Sequence, residues 1–319
     1  MELIRSLHNL REHHRKCVAT IGNFDGLHLG HQAIISQLKE IANTHDLPTV
    51  VIVFEPQPQE YFSPDKAPAR LTRLREKIEQ LSRLGIDRLV CLRFNQELAN
   101  LSAREFVELL LIKGLDIRHL VVGDDFRFGK NRQGDYSTLV NMADEFGYEL
   151  EHTNTCSFEG ERISSTRVRQ ALANDDLKLA SQLLGRGYAI SGRVVHGDKR
   201  GRELGFATAN MELHRLHSPV KGVYVTCVHG IDDKAHPAVT SIGTRPMFDG
   251  EGLRLETHIL DFDETIYAKH IRVEFLQKLR AEKNYSDIDA LKKAIETDIQ
   301  NARYYFAKNS ADAGKSASV

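Results

Sequence analysis

The sequence has no long hydrophobic run, no excess of either charge and few cysteines. Its 43 Lys and Arg residues nearly balance its 44 Asp and Glu residues, giving a formal net charge of −1. Such a balance provides no global attraction to nucleic acid or to anionic membranes. No apolar stretch approaches the length needed to span a bilayer, and the charged N-terminal segment lacks the apolar core of a secretory signal. We therefore expect a cytoplasmic protein without nucleic-acid or membrane partners.

The cysteines and histidines give no clear metal signal. The sequence contains four widely spaced cysteines without a CxxC pair: Cys17, Cys91, Cys156 and Cys227. This spacing predicts reduced, mostly buried thiols. The 15 histidines are mostly scattered. The adjacent His13 and His14 are more typical of a solvated loop than of a ligand pair.

The first half of the chain alternates strand and helix patterns. Four near-continuous apolar runs predict strands that are buried on both faces. They cover residues 17–22, 49–54, 87–94 and 119–123. Amphipathic stretches predict helices at 31–45, 70–84 and 102–113. This alternation favours a parallel sheet with helices on both faces.

The pattern changes after about residue 186. Short strand-like segments separated by Gly, Pro or Asp indicate an antiparallel barrel or sandwich. A final helix is predicted to begin after Ser286 as N-cap. We place one domain at 1–185 and a second at 186–308, and we expect the polar tail 309–319 to lack regular structure.

The stretch GNFDGLHLGHQ follows the first predicted strand and opens the first helix. In open α/β sheets, ligands bind beyond the carboxyl ends of strands near a switch point. Gly22, Gly26 and Gly30 would let the backbone approach a phosphate, and a helix N-terminus favours anions. The pattern matches neither GxGxxG nor a P-loop. Although His28 and His31 could simply pack or cap the turn, their setting favours hydrogen bonding to a phosphoryl transition state.

This stretch resembles the GxFDGxHxGH motif of the nucleotidyltransferase superfamily, in its bacterial FAD synthetase form. Two further stretches, in the expected order, resemble the other motifs of that family. They are VVGDDFRFGKNRQGD at 121–135 and ISSTRVRQAL at 163–172. The resemblance implies that His28 and His31 contact ATP phosphates and stabilise the transferring adenylyl group.

The other two motifs imply further ligand contacts. The third motif implies ATP-phosphate binding by Ser164, Ser165, Thr166 and Arg169. The second implies flavin contacts by Asp125, Phe126 and Phe128. Taken alone, SSTRVRQ is equally well explained as a helix N-cap with solvated arginines.

The stretch SGRVVHGDKRGRELGFATANM, at 191–211, resembles a riboflavin kinase signature of a glycine-rich flap followed by PTAN. Taken alone, it could be a flexible basic hairpin. The predicted ATP-binding residues are Gly197, Lys199, Gly201, Thr208 and Asn210. The resemblance assigns Mg²⁺ to Thr208 and Asn210, whose hard oxygen atoms suit that ion. Ala207 replaces the family proline, which would fix φ, so we expect weakened Mg²⁺–ATP handling.

The stretch LRLETHILDF supplies a candidate catalytic base. Leu253, Leu255, Thr257 and Ile259 alternate and share one strand face, which places Glu256 on the opposite face. A glutamate on a strand is usually solvated. The resemblance nevertheless implies that Glu256 takes the proton from the riboflavin 5′-hydroxyl.

Together these motifs resemble the bacterial bifunctional riboflavin kinase/FAD synthetase (FMN adenylyltransferase) family over residues 1–308. The resemblance implies an α/β Rossmann-like nucleotidyltransferase domain followed by an antiparallel six-stranded β-barrel flavokinase domain with a C-terminal helix. It implies phosphorylation of riboflavin to FMN and adenylylation of FMN to FAD, with pyrophosphate release. The expected partners are riboflavin, FMN, FAD and ATP, with Mg²⁺ as cofactor.

Three questions stay open at the level of sequence. The HxGH motif alone would also fit a nucleotidyltransferase that acts on another phosphate substrate. Ala207 leaves room for a flavin-binding or regulatory protein with an inactive kinase half. Weak or transient self-association is also left open.

Overall fold

The computed structural model describes residues 1–123, 125–197, 205–213, 215, 217–247 and 250–316. The chain divides into two compact units, Met1–Arg167 and Val168–Val319. The sequence pattern changes near residue 186, which is further along the chain than the division between Arg167 and Val168. The reason is that helical segments connect the last strand of the first unit with the strands that follow. The boundary between 185 and 186 stays a prediction.

The first unit is built around a parallel sheet. The strands of this unit are β1 Glu2–Arg5, β2 Val18–Ile21, β3 Thr49–Glu55, β4 Arg88–Arg93, β5 His119–Gly123, β6 Glu149–Thr153, β7 Ser157–Phe158 and β8 Glu161–Arg162. Its helices are α1 Leu29–His45, α2 Pro58–Phe62, α3 Leu74–Arg83, α4 Gln96–Asn100, α5 Ala103–Phe106 and α6 Tyr136–Phe146. A π-helix, Val107–Gly114, continues α5. Short 3₁₀ turns occupy Leu7–Asn9, Glu12–His14, Pro64–Lys66 and Lys130–Arg132.

The six-stranded sheet has the order β1-β4-β3-β2-β5-β6, and its paired strands are parallel. From β2 the chain adds β3 and β4 on one side, then adds β5 and β6 on the other. The topological switch point therefore lies between β2 and β5, where a Rossmann-like sheet binds its ligand. The loop that follows β2 (residues 22–28, the β2–α1 loop) starts at this point.

Helices cover both faces of this sheet, as the sequence predicted. On β3, Val50 and Ile52 pack in one core cluster with the π-helix that follows α5. The alternate residues Val51 and Val53 pack in another with α1 and α3. All four side chains are fully buried, which explains why β3 has no polar alternation.

The second unit contains a closed antiparallel barrel, so the barrel is confirmed and a sandwich is excluded. Its strands are β9 Ala189–Val195, β10 Ala209–Glu212, β11 Gly222–His229, β12 His236–Met247, β13 Gly250–Ile259 and β14 His270–Arg280. They close in the order β10-β13-β12-β11-β14-β9. The helices are α7 Ser165–Ala173, which starts at the end of the first unit, α8 Leu177–Leu184 and α9 Ile288–Ser316.

The terminal helix α9 differs from expectation at both ends. The Asp287 carboxylate accepts the N–H of Ala290 at 2.8 Å, so Asp287 rather than Ser286 occupies the capping position. The Ser286 hydroxyl instead donates to Asp287 at 2.8 Å. The helix continues through Ser316, although the polar composition of 309–319 led us to expect no regular structure there.

Candidate functional sites

The β2–α1 loop has an unusual backbone. Phe24, Gly26 and Leu27 have φ values of 46°, 84° and 44°. Residues other than glycine rarely adopt this backbone region. The side chains of Phe24 and Leu27 are 2% and 1% exposed. Such a conformation persists only where surrounding contacts determine it, and it often marks a functional site.

Asp25 supplies the main contacts that hold this loop, a role that its sequence motif did not reveal. The side chain is 1% exposed. Its carboxylate accepts the N–H of Leu71 at 3.0 and 3.1 Å and the N–H of Thr72 at 2.9 Å. The Thr72 hydroxyl accepts the N–H of Gly26 at 2.9 Å. Asp25 therefore anchors the loop to the segment that enters α3.

The two histidines of the motif contact each other. His28 is the N-cap of α1, and its Nδ1 accepts the N–H of His31 at 3.3 Å. The two imidazole rings stack with centroids 3.7 Å apart and an angle of 19°. Burial, the neighbouring His28 and Lys77 together hold the pKa of His31 well below its usual value. His28 thus caps the helix, and the two imidazole rings lie together at the switch point.

Two glycines of the motif allow this packing. A Cβ on Gly30 would lie 3.2 Å from Cε1 and Nδ1 of His28 and 3.4 Å from the Ile163 carbonyl oxygen. A Cβ on Gly22 would lie 3.2 Å from the Phe24 ring. Both glycines let side chains of the loop lie against the backbone. Their predicted role in ATP binding stays a prediction.

The third motif lies next to the β2–α1 loop. The Ser165 hydroxyl donates to the Asp25 carbonyl at 2.9 Å. The Ser164 hydroxyl accepts the N–H of Arg167 at 3.2 Å and so caps α7. Thr166 is exposed, and the half-buried Arg169 belongs to the second unit. Two motifs separated by more than 100 residues in sequence therefore meet at the switch point.

Arg167, to which the sequence assigned no role, is a structural residue. Its Nη1 donates to the carbonyls of Phe158 and Glu161 at 2.8 and 3.0 Å. These residues lie on the antiparallel pair β7 and β8. Arg167 thus ties this hairpin to the start of α7.

The second motif places two aromatic rings near the end of β5. Phe126 and Phe128 stack with centroids 5.5 Å apart, and Phe128 is only 6% exposed within the hydrophobic core. The exposed Asp125 accepts from Arg162 at 2.7 Å. Phe126 is half-buried and therefore offers more surface to a ligand than Phe128 does. The flavin contacts of all three stay predictions.

An aromatic cluster beyond the ends of β3 and β4 was not evident from the sequence. The ring centroids of Tyr61, Phe62 and Phe94 lie 5.4 to 5.6 Å apart. Phe54 contacts Phe94 at 5.8 Å. Phe62 is 63% exposed, so its ring is accessible to a ligand.

In the second unit, three of the predicted ATP-binding residues, Gly197, Thr208 and Asn210, line one cavity of about 380 Å³. The cavity is lined by Gly197, Gly205, Ala207, Thr208, Asn210 and residues 262–267, among others. Its volume is in the range of small-molecule sites. Lys199 and Gly201 lie outside the described residues.

Asn210, a predicted metal ligand, contacts both Thr208 and Gly197 of the glycine-rich segment. Its Nδ2 donates to the Thr208 carbonyl at 3.2 Å, and only 7% of the residue is exposed. A Cβ on Gly197 would lie 2.3 Å from this Nδ2, so a side chain at position 197 must displace the Asn210 amide. The Oδ1 of Asn210 and Oγ1 of Thr208 are hard oxygen donors of the type that Mg²⁺ prefers.

Glu256 lies on the outer face of the barrel. Leu253, Leu255, Thr257 and Ile259 are 5%, 0%, 0% and 5% exposed and point inward, as the alternation predicted. Glu256 pairs with Asn210 on β10 and with Ser241 on β12. Residues directly opposite in an antiparallel pair share a face. The carboxylate and the cavity-lining amide are therefore neighbours, although Glu256 is not among the lining residues.

His258 holds the backbone where the family proline is absent. Its Nδ1 hydrogen bonds with the Ala207 carbonyl at 2.9 Å. The Phe206 ring packs edge-on against His258, with centroids 5.9 Å apart. His258 thereby supplies part of the restraint that a proline would give.

The His13 and His14 pair is partly structural rather than a solvated loop. His14 is 3% exposed, and its Nδ1 accepts the N–H of Arg11 at 2.9 Å. Nε2 therefore carries the proton of the neutral ring and faces the Glu2 carboxylate at 3.0 Å. Both ring nitrogens of His14 are therefore engaged within the protein.

Comparisons with known proteins agree with this arrangement. Residues 10–167 match the family model of FAD synthetase, and residues 184–306 match that of riboflavin kinase. The bifunctional riboflavin kinase/FMN adenylyltransferase of Escherichia coli (strain K12) is 50% identical over 307 residues, covering 96% of this chain and 98% of that protein. The protein of that name from Haemophilus influenzae is 44% identical over 306 residues, covering 96% and 99%.

A solved structure extends the likeness to three dimensions. The crystal structure titled macrolide-efflux protein from Streptococcus pneumoniae is 31% identical, with a TM-score of 0.78, and covers 95% of this chain and 99% of that one. Within the described part of this chain, every helix is too short or too polar to cross a membrane. With both family models and the near full-length relatives in agreement, the chain belongs to the bifunctional riboflavin kinase/FMN adenylyltransferase family.

Proposed function

We propose that the first unit adenylylates FMN and that the barrel of the second unit phosphorylates riboflavin. The observation that carries the first assignment is the meeting of two motifs at the switch point, through the hydrogen bond from Ser165 to the Asp25 carbonyl. The cavity around Thr208 and Asn210 supports the second assignment.

Adenylyl transfer joins two anions, so charge stabilisation and alignment must supply most of the rate. An FMN phosphate oxygen attacks the α-phosphorus of ATP, and the bond to pyrophosphate breaks. The N–H groups at the start of α1 and the stacked His28 and His31 would donate hydrogen bonds to the phosphate oxygens. Ser164, Ser165, Thr166 and Arg169 would bind further ATP phosphates, with Gly22, Gly26 and Gly30 allowing close approach.

The flavin ring needs a flat apolar surface, because aromatic rings stack favourably. Phe126 provides one face at the end of β5. The exposed Phe62 and its partners Tyr61 and Phe94 provide another, beyond the ends of β3 and β4. Both surfaces follow strands whose carboxyl ends lie on the ligand-binding edge.

Riboflavin phosphorylation requires removal of the 5′-hydroxyl proton. Glu256 would accept it while the resulting oxygen attacks the γ-phosphorus of ATP and ADP leaves. Thr208 and Asn210 would hold Mg²⁺ with the ATP phosphates. When bound, the ion neutralises charge on the transferring phosphoryl group.

The four free cysteines fit a reducing compartment, and we place the protein in the cytoplasm. We assign riboflavin, FMN, FAD and ATP as its ligands and no nucleic acid, given its balanced charge.

Incubation with riboflavin, ATP and Mg²⁺, followed by chromatography, tests the function directly. Appearance of both FMN and FAD is the expected result. FMN alone would overturn the adenylyltransferase assignment. Flavin binding without either product would favour the rival function, a binding protein with an inactive kinase half.

A further inference from the structure

Lys77 is a cation in the interior of the first unit. It lies on α3, and only 1% of the residue is exposed. Burial lowers its pKa, because water no longer solvates the ammonium. An apolar side chain of similar volume would often fill such a position without a loss of stability. Fold stability alone therefore does not explain a lysine here.

The ammonium of Lys77 contacts the β2–α1 loop. Nζ donates to the Asn23 carbonyl at 2.5 Å. Asn23 directly precedes Phe24, the first residue of the loop with a positive φ. A hydrogen bond from a charged donor is stronger than a neutral one. Lys77 therefore fixes the chain where it leaves β2 and enters its strained conformation.

The same part of the chain contacts the loop a second time. The Asp25 carboxylate binds the N–H groups of Leu71 and Thr72, just before α3. Asp25 reaches from the loop toward α3, whereas Lys77 reaches from α3 toward the loop. The two charges attract each other. Two buried ionic groups of opposite sign thus join α3 and the loop.

Lys77 also acts on His31. Burial, then His28 and then Lys77 lower the pKa of His31. The charged or titratable groups that act on Lys77 itself are Asp25, Arg70, Glu55 and Cys91. The charge of Lys77 therefore favours a neutral imidazole at position 31.

We propose that Lys77 is a positioning residue for adenylyl transfer: it holds the Asn23 carbonyl, and thereby His28 and His31, in place and keeps a positive charge beside His31. The inference rests on the proposed FMN adenylylation in the first unit. Because its side chain is enclosed, Lys77 acts through the loop rather than by contact with the reacting phosphates.

The chain offers a matched control. Lys39 on α1 also donates from Nζ to a backbone carbonyl, that of Leu84, at 2.8 Å, but this carbonyl lies outside the motifs. The test compares K77M, which removes charge and donor, with K77R, which keeps both, and with K39M. Riboflavin phosphorylation in the same preparations and thermal unfolding report on the rest of the fold.

We expect K77M to lower kcat for FMN adenylylation at least tenfold and to leave riboflavin phosphorylation within twofold of the unsubstituted chain. K77R should recover part of the loss, and K39M should adenylylate within twofold of the unsubstituted chain. Adenylylation by K77M within twofold of the unsubstituted chain would overturn the proposal. The proposal would also be overturned if K77M and K39M lost adenylylation activity equally and in proportion to their loss of thermal stability. Absence of adenylylation in the unsubstituted chain would instead contradict the proposed function.

An NMR titration of the His31 ring provides a readout that a purely structural role would not move. The midpoint should rise in K77M, because a nearby positive charge is lost, and stay in place in K77R and K39M. An unchanged midpoint in K77M overturns the electrostatic part of the proposal. If K77M does not fold, K77Q, which loses the charge but keeps a donor, takes its place: the His31 midpoint should again rise, and an unchanged midpoint overturns the electrostatic part.

Discussion

Gly197 and Asn210 lie so close together that a Cβ on the glycine would meet the amide nitrogen at 2.3 Å. Gly197→Ala must therefore displace Asn210, whose amide lines the cavity. We expect riboflavin phosphorylation to fall at least tenfold, mainly through a raised KM for Mg²⁺–ATP. Steady-state kinetics with varied ATP measure this, and FMN adenylylation in the same sample is the control. An unchanged KM would show that Asn210 does not hold the nucleotide.

Ala207→Pro tests the missing family proline. At a compatible site, proline stabilises by about 0.4–1 kcal/mol through the unfolded chain. We expect better Mg²⁺–ATP handling, seen as a lower kinase KM or a higher kcat. Since His258 already restrains this backbone through the Ala207 carbonyl, His258→Ala should impair the original chain more than the proline variant. Equal effects of His258→Ala in both backgrounds would contradict this linkage.

Much of the central sheet could be predicted from sequence, because buried parallel strands leave continuous apolar runs. Both candidate sites were placed by their motifs, and their residue roles stay predictions. The edge strands β1 and β6 could not, since ELIR and ELEHT contain mostly exposed or half-buried side chains. Asp25 and Lys77 were missed for another reason. Their partners lie 46 and 54 residues away in the chain, and nothing local marks either charge as buried. The aromatic cluster around Phe62 likewise forms only when separate strand ends meet.

Burial of His31 makes stability depend on pH. Its folded pKa lies well below the usual 6.5, so the unfolded chain binds more protons between these two values. Stability is therefore complete above about pH 6.5 and falls as the pH drops through this window. The thermal unfolding temperature should be lower at pH 5.5 than at pH 7.5, and His31→Gln should make this difference smaller. His119, whose pKa burial also lowers, contributes to the remainder. A pH response that His31→Gln leaves intact would contradict this assignment.

Phe62→Ala tests the aromatic surface proposed for the flavin. Aromatic pairs contribute about 0.5–1.5 kcal/mol beyond area burial, so the KM for FMN in adenylylation should rise about 2- to 10-fold. The KM for ATP should stay constant. Tyr304→Ala removes another exposed aromatic residue, which is 71% exposed on α9, and should have no effect. Equal KM values for FMN in both variants would show that Phe62 does not contact the flavin.

The central claim is that two separate sites carry out the two reactions. Product analysis of His28→Ala and Glu256→Ala, each supplied with riboflavin or FMN together with ATP and Mg²⁺, tests it most directly. His28→Ala should still make FMN but little FAD. Glu256→Ala should lower the rate of FMN formation from riboflavin by a factor on the order of 10²–10⁴, as expected for loss of a general base. It should still make FAD from supplied FMN. Loss of both activities in either variant, with the fold intact, would contradict the two-site account.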